Sequence, residues 1–129
     1  MLINWIVATD ISEVGVSLFD FYSIGHICFG LGTFLFFSLL YTIPMQFDKK
    51  PLLPLWAIFL LTMGVLIAWE FLENFLFIEI GIKFEDRLDS PGNITTDLIL
   101  RAFGALLYWL AADEIDEKHE GKGIKWYYL

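Results

Sequence analysis

The 129-residue sequence is poor in charged residues, in basic residues above all, and in cysteine. Only 19% of its residues are charged, and acidic residues outnumber basic ones by 16 to 8. This shortage of Lys and Arg argues against a nucleic-acid partner, because binding to phosphates needs a positively charged surface. The single cysteine, Cys28, excludes a disulfide bond within the chain.

Apolar and aromatic residues are in excess. Hydrophobic residues make up 57% of the chain and aromatic residues 18%, with a mean hydropathy of +0.64. A chain of this length forms one small domain, and small domains bury the smallest fraction of their surface. The excess must face lipid or a large partner, which argues against a soluble enzyme and against a disordered segment. We therefore expect residues 1–129 to form a single membrane domain.

Three segments predict transmembrane helices. They cover residues 23–43, 54–80 and 94–112. They are 21, 27 and 19 residues long and mostly apolar, and about 20 such residues are enough to cross a hydrocarbon core of about 30 Å. The acidic run that begins at Asp113 ends the third segment and starts a tail, residues 113–129.

Residues 1–20 have a different pattern. Apolar residues recur at helical spacing, but Asp10, Glu13 and Asp20 interrupt them. This pattern predicts an amphipathic helix in the membrane interface, and a fourth span packed on the bundle is the alternative. The expected fold class is all-α, an integral membrane bundle of three transmembrane helices plus an N-terminal amphipathic helix.

The placement of basic residues predicts the orientation in the cell membrane, since Lys and Arg concentrate in cytoplasmic loops. Residues 1–22 contain none, the first loop has Lys49 and Lys50, and the second has Lys83 and Arg87. The tail adds Lys118, Lys122 and Lys125. An external N-terminus and a cytoplasmic C-terminus place most of these residues inside the cell. We therefore expect that orientation.

Polar side chains of different spans share one depth. Ionisable groups are rare within membrane spans and, where they occur, usually indicate a functional site. Glu70, Glu73 and Asn74 have i, i+3, i+4 spacing and project from one helix face. Asp97 and Arg101 share a face of the third span. The sequence predicts a polar site at the extracytoplasmic end of the bundle. Its expected members are His26, Glu70, Glu73, Asn74, Asp89, Asn93, Asp97 and Arg101.

The charge balance of this site points to a cation. Glu70, Glu73 and Asp97 bring three negative charges and Arg101 brings one positive charge. Carboxylates so close in a low dielectric cannot all stay ionised unaided. Either one or two are protonated, or one divalent metal ion lies among them. The candidate ligands are these three carboxylates with His26, a set that suits Zn, Mn, Fe or Mg.

Each of these features also has a structural explanation. A lone histidine such as His26 is more often a hydrogen-bonded packing residue than a ligand, and Arg101 with a carboxylate can simply pin two helices together. Gly25, Gly30 and Gly32 would let a neighbouring helix approach closely. On these explanations the polar residues fix helix register instead of carrying chemistry.

Two motifs carry a resemblance to a known group. Trp69-Glu70 to Glu73-Asn74 resembles a Trp-Glu-x-x-Glu-Asn helix, and Asp89 to Asp97 resembles an Asp-Ser-x-x-Asn-x-x-x-Asp turn. Small uncharacterised prokaryotic membrane proteins carry this pair after a helix with an early histidine. More loosely, the pair is similar to VanZ-like membrane proteins. The resemblance covers residues 66–105 and supports a polar site without naming a reaction.

Three functions fit these expectations, and the sequence leaves open whether the protein is an enzyme. One is a hydrolase or transferase acting on a lipid or lipid-linked group, in which a metal activates water, Asp89 takes the proton and Arg101 stabilises developing charge. Another is an accessory or structural subunit, bound to other membrane subunits or to copies of itself. A third, ion or proton transfer, lacks titratable groups at the inner end of the bundle.

Overall fold

Three long helices make up most of the structure. The computed structural model describes residues 5–83 and 86–119, with side chains described up to residue 111. The helices are α1 (Ser23–Gln46), α2 (Leu55–Glu79) and α3 (Pro91–His119). Each contains a stretch long and apolar enough to cross a membrane. They confirm the predicted all-α fold with three membrane-spanning helices.

The start of α3 lies three residues before the predicted start of the third span. The Ser90 hydroxyl accepts a hydrogen bond from the Asn93 backbone N–H at 3.0 Å, and Pro91 is the first helical residue. Both residues suit their positions, since serine caps helices and proline needs no hydrogen bond in the first turn. At its other end α3 continues through the first part of the predicted tail to His119. The rest of that tail, residues 120–129, lies outside the described residues.

Helices α1 and α3 approach each other most closely at two glycines. A Cβ atom at Gly30 would collide with the backbone of Arg101, and one at Gly104 would collide with the backbone of Ile27. Gly25 and Gly32 have open space around them. Of the three glycines predicted to admit a neighbouring helix, only Gly30 does so, which places the backbone of Arg101 directly against α1.

Below this contact the helices meet through aromatic side chains. Phe34 on α1, Ile58 on α2 and Ala105 on α3 are fully buried together. The Phe34 ring lies 5.8 Å from Tyr108 and 5.9 Å from Trp109, measured between ring centroids. We call this region the apolar half. Large apolar side chains cover the outside of the bundle, and such a surface fits a lipid bilayer.

The structure corrects the prediction for residues 1–20, because residues 5–20 form neither a continuous amphipathic helix nor a fourth span. Within residues 5–22, Trp5 and Ile6 are helical, Ile11–Glu13 form a 3₁₀ turn, and Val7 and Phe19 form an isolated bridge. Asp10 and Glu13 form a capping box around that turn, and Gly15 adopts φ +73°. The acidic residues that interrupt the apolar pattern therefore bind backbone groups and fold the segment into a compact loop. Residues 1–4 of the expected helix lie outside the described part of the chain.

We call residues 5–22 the N-terminal roof, because they cover the end of the bundle where α1 and α3 begin and α2 ends. The Arg87 guanidinium donates to the carbonyl oxygens of Ser12 and Val14 at 2.5 and 2.7 Å. The Ser90 backbone N–H donates to the Gly15 carbonyl oxygen at 2.7 Å. These bonds attach the roof to the connection between α2 and α3.

Candidate functional site at the roofed end of the bundle

The predicted site residues meet beneath the N-terminal roof. His26 lies three residues inside α1, Asp97 six residues inside α3, and Glu73 six residues before the end of α2. At roughly 1.5 Å per residue, these positions lie about 5 to 9 Å from the helix ends. Sequence reasoning placed these residues at a common depth, and the structure adds that their side chains face one another.

Arg101 is the centre of the cluster. Its side chain is 1% exposed and forms an ion pair with Glu70, whose side chain is 6% exposed. Its Nη2 atom also lies 3.7 Å from a carboxylate oxygen of Glu73, and its guanidinium lies over the Phe29 ring at 5.6 Å from the centroid. One guanidinium thus joins α3 to two acidic residues on α2.

The same guanidinium binds His26 and thereby determines which ring nitrogen accepts a hydrogen bond. Its Nε and Nη2 atoms lie 3.1 and 2.9 Å from His26 Nδ1. Because arginine only donates hydrogen bonds, His26 Nδ1 accepts them and the ring proton lies on Nε2. His26 Nε2 lies 3.2 Å from an oxygen of Asp97, to which it donates. Both ring nitrogens of His26 are therefore engaged.

A π-helical turn, Leu72–Leu76, carries Glu73 and Asn74. The Phe77 backbone N–H donates to the Leu72 carbonyl oxygen, five residues back instead of four. The Asn74 side-chain amide donates to the backbone carbonyl of Glu70 at 3.1 Å and to its carboxylate at 3.3 Å. Such widened turns are frequent at functional sites. Here the turn keeps Glu70, Glu73 and Asn74 on the side facing the other helices.

Asn74 links the cluster to a second ion pair, which the sequence did not reveal. Its side-chain oxygen accepts hydrogen bonds from Lys83 Nζ at 3.0 Å and from the Asp89 backbone N–H at 2.9 Å. Lys83 Nζ also lies 2.8 Å from Asp89, and both side chains are at least nine-tenths buried. Asp89, the predicted proton acceptor, is thus already paired with a cation.

Asn93 binds the N-terminal roof through its side-chain amide. Its side-chain amide donates to the Ser17 carbonyl oxygen at 2.9 Å and lies 3.4 Å from Asp20. The Asp20 carboxylate also accepts from the backbone N–H groups of Gly15 and Tyr22 at 3.1 and 2.9 Å. Asn93 therefore connects α3 to the roof. Spacing cannot reveal Asp20 as a site residue, because the loop that returns it to the bundle is non-helical.

Roof and helices enclose a cavity of about 370 Å³. Its walls are mixed, since apolar groups of the roof, α1 and α2 alternate with charged groups of the roof, α2, α3 and the connection between α2 and α3. Among the residues that line the cavity are Asp20, Gly25, Phe29, Trp69, Glu73, Phe77, Lys83, Asp89, Asp97 and Arg101. A pocket of this size and composition is typical of a site for a small molecule or for part of a larger one.

The predicted metal ligands lie in this cluster, but their arrangement is that of an ion-pair network. Among the described residues, no group of three His, Cys, Asp or Glu side chains is placed to hold a metal ion. Arg101 lies between Glu70, Glu73 and His26, where it supplies a positive charge. The divalent ion stays a prediction.

Comparison with known proteins does not identify the chain. No family model, curated protein or solved structure matches it. The likeness to VanZ-like and related small membrane proteins therefore stays a prediction from the two motifs.

Proposed function

We propose that this chain is a membrane protein that binds the headgroup of a lipid or lipid-linked molecule in the cavity beneath the N-terminal roof. The observation that carries the proposal is the cavity itself, with charged walls only about 5 to 9 Å below the ends of membrane-spanning helices. Headgroups and the polar parts of lipid-linked molecules lie at this depth in a bilayer. A soluble ligand would not need a site set into the membrane.

The mixed walls support a headgroup as the ligand. Trp69 and Phe77 are close to each other, with ring centroids 5.6 Å apart, and suit the boundary between apolar and polar lipid regions. Glu73, whose side chain is 29% exposed, supplies a charged group on the same wall. A lipid can therefore place its chains along the apolar surface of the bundle and its headgroup among the polar side chains.

We propose binding instead of catalysis because the candidate catalytic groups already have protein partners. Both nitrogens of His26 have partners, and Asp89 is paired with Lys83. A hydrolase or transferase reaction on the bound group is the further step that the sequence predicts, and conversion of a lipid in proteoliposomes would test it. A divalent ion in the same cluster would be detected by metal analysis of the purified protein.

We further propose that the cavity faces the outside of the cell. The connection between α1 and α2 at the opposite end of the bundle contains Lys49 and Lys50, and basic residues favour the cytoplasmic side. A Cys28→Ser, Ser12→Cys variant tests this orientation. Ser12 is exposed on the roof, so a membrane-impermeant maleimide should label it in intact cells. Labelling only after lysis would contradict the orientation.

The binding proposal is tested by filling the cavity. Gly25 lines it, and a Cβ atom there meets no other group within 4 Å. A Gly25→Leu variant should therefore fold and still exclude the headgroup. Gly32→Leu is the matched control, because Gly32 lies on the same helix, also has open space and does not line the cavity. Native mass spectrometry after purification in mild detergent measures the lipid retained by each variant.

We expect the unmodified protein and Gly32→Leu to retain lipid equally, and Gly25→Leu to retain about tenfold less, because a filled site loses its polar contacts. Equal retention by all three proteins would contradict the proposal. If Gly25→Leu kept its lipid but no longer purified with another membrane subunit, the accessory-subunit alternative would replace it.

A further inference from the structure

We propose that the headgroup bound in the cavity carries a protonated primary amine, held by Glu73 and Asp97. This inference rests on the proposed function and specifies its ligand. It follows from which hydrogen-bonding groups of the cavity are already used, from the charge of the walls, and from the aromatic rings among them.

The positive groups of the cavity are already occupied by protein partners. Arg101 pairs with Glu70 and donates to His26, and Lys83 pairs with Asp89 and donates to Asn74. A ligand phosphate or carboxylate would have to displace an acidic side chain from one of these cations. An anionic group is therefore a poor match for this cavity.

Acceptor oxygens, in contrast, remain available. Asp97 Oδ1 is buried without a hydrogen-bond partner among the described residues, and the Asp97 side chain is 5% exposed. Glu73 lies 3.7 Å from Arg101, which is beyond hydrogen-bond distance. A buried carboxylate oxygen without a donor is unfavourable. These oxygens favour a ligand that donates hydrogen bonds.

The charge of the walls favours a cationic donor. Four acidic residues and two basic residues line the cavity. The acidic residues are Asp20, Glu73, Asp89 and Asp97, and the basic ones are Lys83 and Arg101. The net negative charge in a site of low dielectric attracts a cation and repels an anion.

Aromatic rings complete the wall around these carboxylates. Trp69 packs edge-on against Phe29 and Phe77, with centroid distances of 5.4 and 5.6 Å. Faces of such rings attract cations, tryptophan most strongly. A primary ammonium group satisfies the rings and the free oxygens together, because it carries three N–H donors. A quaternary ammonium group satisfies only the rings.

The experiment compares three phospholipids with identical acyl chains, measured by native mass spectrometry of the protein in detergent. They are phosphatidylethanolamine, which has a primary ammonium, phosphatidylcholine, which has a quaternary one, and phosphatidylglycerol, which has none. We expect phosphatidylethanolamine to be retained about tenfold more than the other two, because only its headgroup combines a positive charge with N–H donors for the carboxylate oxygens.

Glu73→Gln should abolish this preference, because it removes the charge with little change of shape. Glu79→Gln is its control, since Glu79 is exposed on the same helix and does not line the cavity. A separate arm uses soluble phosphoethanolamine as competitor. Displacement of the lipid by this compound at similar concentration would assign the site to a free amine instead of a lipid.

Different results would overturn the headgroup-binding proposal and the ammonium proposal. Equal retention of phosphatidylcholine, preference for phosphatidylglycerol, or an unchanged preference in Glu73→Gln would overturn the ammonium assignment. If the ammonium assignment were overturned but Gly25→Leu still abolished lipid retention, the proposal of a headgroup site in the cavity would be supported. If no lipid were retained in a manner that depends on Gly25, both proposals would be overturned.

Discussion

At the roofed end, the three helices meet through the polar side chains of His26, Glu70 and Arg101, whereas in the apolar half they meet through Phe34, Ile58 and Ala105. The roofed end contains a cavity and free acceptor oxygens. The apolar half contains stacked and tilted rings in direct contact. One bundle therefore combines an open polar site with a tightly packed base.

The polar and apolar regions contribute differently to the fold because lipid, not water, surrounds the bundle. Lipid tails are as apolar as phenylalanine, so the rings of the apolar half gain packing contacts but little hydrophobic free energy when helices associate. Polar groups at membrane depth have no water to bind when their partners are lost. The ionic network should therefore contribute more to the specificity of the fold than the ring cluster does. The predictions below test this comparison, from the largest expected effect to the smallest.

Replacing Arg101 by Met should have the largest effect. The substitution leaves Glu70 unpaired at a buried position, and removal of one partner of a buried ion pair costs about 3–5 kcal/mol. Unfolding by SDS titration, followed by circular dichroism, measures the change in the free energy of unfolding. The double variant Glu70→Gln, Arg101→Met should recover part of the loss, and a double variant as unstable as the single one would show that the pair itself is unimportant.

Replacing Gly30 by Ala should come next. Its new Cβ atom meets the Arg101 backbone, which cannot move without shifting α3, and overpacking of this kind costs about 1–3 kcal/mol. Gly32→Ala is the control, because nothing lies within 4 Å of a Cβ atom there. The thermal midpoint should fall for Gly30→Ala and stay unchanged for Gly32→Ala. Similar midpoints for the two variants would contradict the close contact between α1 and α3.

Replacing Phe34 by Leu should have a smaller effect, confined to stability. The substitution removes the ring contacts with Phe59, Tyr108 and Trp109, and an aromatic pair is worth about 0.5–1.5 kcal/mol. We expect a modest decrease in SDS resistance and unchanged retention of lipid. A loss of lipid as large as that expected for Gly25→Leu would show that the two regions are coupled.

The smallest effect concerns pH and the N-terminal roof. The Ser12 backbone N–H donates to Asp10 at 2.9 Å, and this hydrogen bond lowers the pKa of the Asp10 carboxyl below its ordinary value of 3.8. The folded state thus has the lower pKa, so the contribution to stability is complete above the ordinary value and is lost as pH falls through the folded one. The hydrogen-exchange protection of the Ser12 amide should decrease in that acidic range, and an Asp10→Asn variant should not show this pH dependence.

Sequence reasoning predicted the helices well, because long apolar segments between charged residues have few alternatives in a membrane. It also predicted that His26, Glu73 and Asp97 lie at one depth, because helical rise converts sequence position into depth. It did not predict the roof, because a segment whose acidic residues bind nearby backbone groups departs from helical periodicity. Nor did it predict the Lys83–Asp89 pair, because neither residue lies in a helix or strand whose periodicity would place it.

Composition and spacing alone thus determined that this protein is a helical membrane protein with polar side chains gathered at one end, since the hydrophobic thickness of a bilayer and the pitch of a helix fix those properties. Tertiary structure decided which of these side chains pair. The closeness of α1 and α3 at Gly30 and Gly104 brought Arg101 to His26 and left one oxygen of Asp97 without a donor. Pairing depends on distances of a few tenths of an ångström between separate helices, and no pattern within one helix contains that information.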